Sequence, residues 1–204
     1  MGNGQVISNT LTGGGVSAGD GSLVQGNNIE NAPGWGIYSS GTITVTQNRL
    51  VGAASGIRIA WGSIQGDLVA NNAGVGLEVN GSVNVTDNTF TGNGGNTIKI
   101  VSGIPTIQGN NLEGNTGMYD IENLTTNPIP AENNWWGTTN ISAIGLRIFD
   151  FNDDYNKGAV NYSPVATGPI QTAPAYVRSV TLSPESPVGI ETVTFEVEFS
   201  RPMD

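Results

Sequence analysis

The sequence holds no cysteine and no histidine. Disulfide staples, thiolate nucleophiles, zinc sites built on Cys or His, and a catalytic triad centred on histidine are thereby excluded. Charge is scarce as well. Only 12% of residues are charged, and 7 Lys and Arg against 17 Asp and Glu leave a net charge of -10. A chain so poor in cations lacks the basic footprint of a nucleic-acid binder and has little to draw it to an anionic membrane. No apolar run is long enough to cross a bilayer as a helix, so no membrane insertion is expected. Met1 to Gly4 carry no leader pattern, and we expect the chain to be part of a longer one.

Helical periodicity is missing too, and short alternating runs separated by turn formers stand in its place. Val83-Asn84-Val85 and Ile98-Lys99-Ile100 alternate apolar and polar residues as half-buried strands do. Between them, Asp87 to Gly92 is rich in turn residues. The unit recurs. Asn-x-apolar triplets begin at Asn9, Asn27, Asn48, Asn88, Asn110 and Asn133, with a weaker copy at Gly66-Asp67-Leu68. A second series, Ile37, Ile57, Leu77, Ile98 and Tyr119, follows it at gaps of 20 or 21 residues. A period near 20 in strands without helices predicts a parallel β-solenoid, in which each repeat buries its neighbour's apolar side. The expected fold is all-β: a right-handed single-stranded parallel β-helix of about seven coils, then a short partial β-sandwich segment. The triplet asparagines are expected to stack into a hydrogen-bonded ladder, with a weaker rung where Gly66 replaces asparagine.

Domain boundaries follow from composition. Residues 1–164 form the solenoid. Residues 165–176, rich in Pro and Ala and free of charge, read as a linker. Residues 177–204 hold two alternating runs, Val177–Leu182 and Val193–Phe199. Trp135 and Trp136 end the repeats and are expected to cap the core's open end.

Glu132-Asn-Asn-Trp-Trp-Gly137, followed by Ile148-Phe-Asp150, Asp153-Asp154, Gly158 and Tyr162-Ser-Pro164, resembles the closing portion of pectate-lyase-like right-handed β-helix proteins. Val197 to Asp204 resembles the early strands of bacterial Ig-like surface modules. Two strands are fewer than the seven of a complete sandwich, so a truncated module is expected. These resemblances imply an exported setting, extracellular or at the cell surface. Partners are then polysaccharides or other surface proteins.

Four residues of the second series face outward with alternating sign: Arg58, Glu78, Lys99 and Asp120. If the chain is a polysaccharide lyase or glycoside hydrolase, these are its catalytic candidates. Each carboxylate, however, is flanked by a cation, whereas a general acid needs burial or a like charge beside it. Structural ion pairs are therefore the expectation. Trp35, Tyr38 and Trp61 lie on or beside this face and are candidate sugar platforms. Asp150, Asn152, Asp154 and Asn156 place oxygen ligands at alternate positions, as a calcium loop does, but Tyr155 stands where such a loop needs glycine. Calcium is the one cofactor considered; otherwise none is expected. Thr42-Ile-Thr-Val-Thr46 begins a Thr-x-Thr array that Ser63, Gln65, Ser82 and Asn84 break. The resulting expectation is a non-catalytic structural or adhesive module with carbohydrate affinity. A polysaccharide-cleaving enzyme and an S-layer or filament component are the alternatives.

Overall fold

A computed structural model describes residues 3–183 and 192–203. The chain divides between Pro174 and Ala175 into two compact units.

The first unit is a parallel β-solenoid of about six turns, one fewer than the repeat arithmetic suggests. Three rows of apolar residues run along its axis. One leg of the 11-stranded sheet stacks Ile37, Ile57, Leu77, Ile98, Ile121 and Ile148. Its other leg stacks Val6, Val24, Val45, Ile64, Val85 and Ile107. The five-stranded sheet stacks Leu11, Ile29, Leu50, Val69 and Phe90. Nearly all of these are fully buried, and each such side chain contributes ~1.5–3 kcal/mol of burial. No strand has a core of its own, so stacking is what removes its apolar face from water.

Two kinds of turn residue separate the legs. At the first corner, Ser8, Gly26, Gln47, Gly66, Asp87, Gly109 and Asn133 adopt left-handed backbone, with φ between 55° and 69°. The residue after each turns inward: Asn9, Asn27, Asn48, Asp67, Asn88, Asn110 and Asn134. Left-handed backbone suits Gly and Asn, and the inward position suits Asn again, because a side-chain amide both donates and accepts. The two roles blur in the sequence, and the expected register slips by one residue in two coils. Asn133 is the exposed left-handed residue, and Asn134 is the rung. Gly66 is likewise the left-handed residue, and the buried rung beside it is Asp67. The expectation of a rung without a side-chain bond there is corrected: Asp67 Oδ1 accepts from Asn48 N at 2.7 Å and from Asn48 Nδ2 at 2.8 Å.

The second expected series also slips at its end. Ile98 pairs with Ile121, not with Tyr119, because the preceding turn is longer. Tyr119 instead packs its ring against Phe149 at 5.5 Å.

The C-terminal end of the solenoid is closed by Trp136, which is buried and meets Tyr162 edge-on at 6.2 Å. The helix Ile141–Gly145 covers it with Ile144, and its N-terminus is capped by the Asn140 side chain accepting from Ala143 N. Trp135 sits further out and donates from Nε1 to Glu113 at 3.1 Å.

Residues 165–174, expected as a linker, are part of the solenoid unit and lie as a strap across the five-stranded sheet. Ile170 N donates to Asn111 Oδ1 at 2.8 Å, Thr89 Oγ1 donates to the Pro174 carbonyl at 2.7 Å, and Ala173 is fully buried. Small, uncharged side chains let this segment lie flat, and the same composition made it read as a linker.

The second unit is an antiparallel pair, Val177–Ser183 with Thr194–Phe199. Residues 184–191, which the two-strand expectation includes, lie outside the described residues.

Candidate functional site

The outward row of the first leg reads Tyr38, Arg58, Glu78, Lys99 and Glu122 in register, and all but Tyr38 are half-buried. Its last acid is Glu122, not the expected Asp120, because of the same two-residue slip. The sign alternation survives. Arg58 Nε lies 3.0 Å from Glu78 Oε1, and its guanidinium carbon sits 5.8 Å from the centre of the Tyr38 ring. The carboxylate best placed for chemistry is thus held by a cation in turn held by a ring. Such pairs pin the register of neighbouring strands and contribute little to stability where the cation stays solvated.

Asp120 is buried at the far end of the solenoid. Both its oxygens accept from Arg147, at 2.8 and 3.0 Å, and the same guanidinium donates to the carbonyls of Gly117 and Asn115. The hydrogen bonds to Asp120 push the Arg147 pKa up from its ordinary value. Arg147 thereby ties the closing segment to the last coil. The cleft beside it, 260 Å³, is lined by Leu112, Asn115, Asp120, Trp136, Ile144 and Arg147.

The three candidate aromatics do not converge. Trp35 is half-buried opposite Ser55, and Tyr38 is 37% exposed. Trp61 is 48% exposed, pairs with Thr42, and lies close over Gly81 of the next coil, where an added Cβ would come within 3.1 Å of the ring. Among the described residues, none of the three rings contacts another ring.

Trp61 instead begins the outward side of the second leg. Along that strand Trp61, Ser63 and Gln65 alternate with the inward Ile64. Across the strands run two rows: Leu23, Thr44, Ser63, Asn84, Thr106, and Gln25, Thr46, Gln65, Thr86, Gln108. The expected array is two residues out at Ser82 and Asn84, since Asn84 and Thr86 are the positions aligned with Ser63 and Gln65, followed by Thr106 and Gln108. No residue of either row is charged, in a chain of net charge -10. A groove of 320 Å³ follows its edge, lined by Thr46, Gln47, Gln65, Gly66, Asp87 and Thr172.

The calcium candidates are committed elsewhere. Asp150 is buried; its Oδ1 accepts from Asn152 N and Nδ2, and its Oδ2 accepts from Val160 N at 2.8 Å. Asp154 Oδ1 accepts from Asn156 N and Nδ2, which holds its pKa below the ordinary carboxylate value. These are Asx turns, in which Asp shapes its own loop. Among the described residues, no three acidic side chains come together as a metal site would require.

Inside, the asparagine rungs Asn27, Asn48 and Asn110 repeat one set of bonds. Asn110 Oδ1 accepts from Asn88 N and Nδ2, both at 3.0 Å, and Asn110 Nδ2 donates to the Val85 carbonyl and to Asn134 Oδ1. A second ladder, missed in the sequence, runs through Asn72, Asn93 and Asn115 at the next corner. Its signal is present: a left-handed residue precedes each asparagine, at Asn71, Gly92 and Gly114.

Comparison of the chain with protein families, with curated proteins and with solved structures finds no match.

Proposed function

We propose that this chain is a non-catalytic β-solenoid module of an exported or cell-surface protein, a rigid body that presents its flat polar face to carbohydrate. The resemblance of the closing Trp-Trp-Gly string to pectate-lyase-like solenoids, and of the last strands to Ig-like surface modules, supports the setting. The observation that carries the non-catalytic reading is the state of the carboxylates. Glu78 is ion-paired on the outward row, Asp120 is locked to Arg147, and Asp67, whose pKa burial raises to about 7, is sealed inside the ladder away from any substrate. Glycoside cleavage by two carboxyl groups needs both to reach the same bond, one of them kept protonated.

The uncharged rows beside Trp61 support affinity for sugars. Hydroxyl and amide side chains exchange hydrogen bonds with hydroxyl groups, and an exposed indole offers an apolar face to a sugar ring. A glycan array decides: binding lost in Trp61→Ala supports this face, and binding retained in both Trp61→Ala and Trp35→Ala removes the aromatic platforms. Release of reducing ends or unsaturated products from a polysaccharide panel, abolished by Glu78→Gln or Lys99→Ala, would overturn the non-catalytic reading.

A further inference from the structure

Five inward side chains at the first corner follow one rule. Asn27, Asn48, Asn88, Asn110 and Asn134 donate from Nδ2 to the carbonyls of Val6, Val24, Ile64, Val85 and Ile107 on the preceding coil. Those acceptors form one row in strand register, and the row's remaining member, Val45, is reserved by position for residue 67. Residue 67 is aspartate. Its Oδ1 does what an amide oxygen does, accepting from Asn48, and its backbone N–H donates to Asn88 Oδ1 at 2.8 Å. Its Oδ2 occupies the place of Nδ2, is sealed from solvent and has no hydrogen-bond partner. A bare carboxylate oxygen there has a strand carbonyl as its partner by position and no protein donor, which is costly for a buried charge. A proton on Oδ2 restores the pattern, because the carboxylic acid then donates where the amide does.

We propose that Asp67 is a proton-dependent rung: it carries its proton in the folded solenoid, and loss of that proton loosens the stack between the coils of Asn48 and Asn88. Among the described residues, no cation is at hand to hold the ionised form. Arg49, after the preceding rung, is bound to Glu30 and Asn28. Arg58, on the long strand leading to this corner, is bound to Glu78 on the outer face. Asp87, before the following rung, accepts from Gln65 and Thr172 outside the core. The pKa follows the same logic: burial raises it to about 7, against the hydrogen bonds from Asn48 and a smaller pull from the Gln65 backbone.

The sign of the pH dependence is fixed by this direction. An unfolded aspartate titrates near ~3.9, so between there and ~7 the folded chain holds a proton the unfolded chain has released. Stability from this rung is complete below ~pH 4 and is lost as pH rises through the folded value. The test is thermal melting of the full chain and of Asp67→Asn from pH 5 to 9. In Asp67→Asn the amide serves Val45 at every pH. The native chain should lose roughly 8 °C relative to this variant across that range. Parallel melting curves at all pH values would overturn the proposal. A direct titration guards against a variant that folds poorly. In the native chain with 13C-labelled aspartate carboxyls, one resonance should titrate near pH 7. Finding every aspartate ionised by ~pH 5 would refute the buried proton.

Discussion

Replacing Asn110 by leucine separates two accounts of what holds the solenoid together. The side chains are similar in size, and the site is fully buried. If apolar burial alone sets stability, leucine gains ~1.5–3 kcal/mol. The hydrogen bonds predict the opposite sign. Asn110 Oδ1 is the acceptor for Asn88 N–H and for one amide hydrogen of Asn88, and leucine leaves both buried donors without it. Each stranded donor costs ~1–3 kcal/mol. The bonds from Asn110 Nδ2 to Val85, Gln108 and Asn134 disappear as well, at ~1 kcal/mol each or less, since their acceptors keep a second lone pair. Set against the gain from leucine, the net loss is ~3 kcal/mol, or ~6–12 °C in melting temperature for a unit of this size. Circular dichroism at 218 nm during heating reads it directly. A melting temperature unchanged or raised in Asn110→Leu would refute the ladder as a source of stability and leave it a consequence of stacking.

Other perturbations discriminate more locally. Arg147→Ala strands the buried Asp120 carboxylate and unties the closing segment, so a loss of ~2–4 kcal/mol is expected in urea unfolding, and a loss below ~0.5 kcal/mol would remove Arg147 from the closure. Glu78→Gln keeps the shape and one acceptor oxygen of a half-buried pair whose cation stays solvated, and its melting temperature should stay within ~2 °C of the native chain. Gly62 has φ of +116°, and a Cβ there would meet the Ile43 carbonyl at 1.9 Å, whereas Gly34 has open space around it. Gly62→Ala should therefore cost ~3 kcal/mol or more and Gly34→Ala under ~0.5; equal effects would contradict the close approach of these coils. Because both oxygens of Asp150 and Oδ1 of Asp154 already accept hydrogen bonds from the chain, melting in excess calcium and in chelator should coincide, and a calcium-dependent rise would restore a metal to that loop.

The solenoid was legible in the sequence because its cause is periodic. Neighbouring coils must present apolar residues to the same interior, and the spacing of Ile37, Ile57, Leu77 and Ile98 records that requirement without ambiguity. The slips arose where two positions favour the same residue for different reasons. Asn133 and Asn134 are adjacent asparagines, one chosen for left-handed backbone and one for its amide, and spacing alone does not distinguish them. Asp67 was passed over because it breaks the asparagine pattern while keeping the geometry. Asp120 looked like the next outward residue, but the coil before it is longer, and loop length is set by contacts such as the bond from Arg147 that no local pattern announces. The strap 165–174 was illegible for a related reason: apart from the Thr172 hydroxyl on Asp87, its hydrogen bonds to Asn111, Asn134 and Thr89 are made by backbone groups, which leave no mark on its own composition.

The register of the stacked coils is what everything else rests on, and a chain with no cysteine lets it be read chemically. Parallel neighbours on adjacent strands lie close enough for a disulfide, and residues two positions out of step do not. Lys99→Cys combined with Glu122→Cys should therefore oxidise to an intramolecular disulfide under mild conditions, and Lys99→Cys combined with Asp120→Cys should not. Cross-linking in the second pair and not in the first would contradict the stack described here.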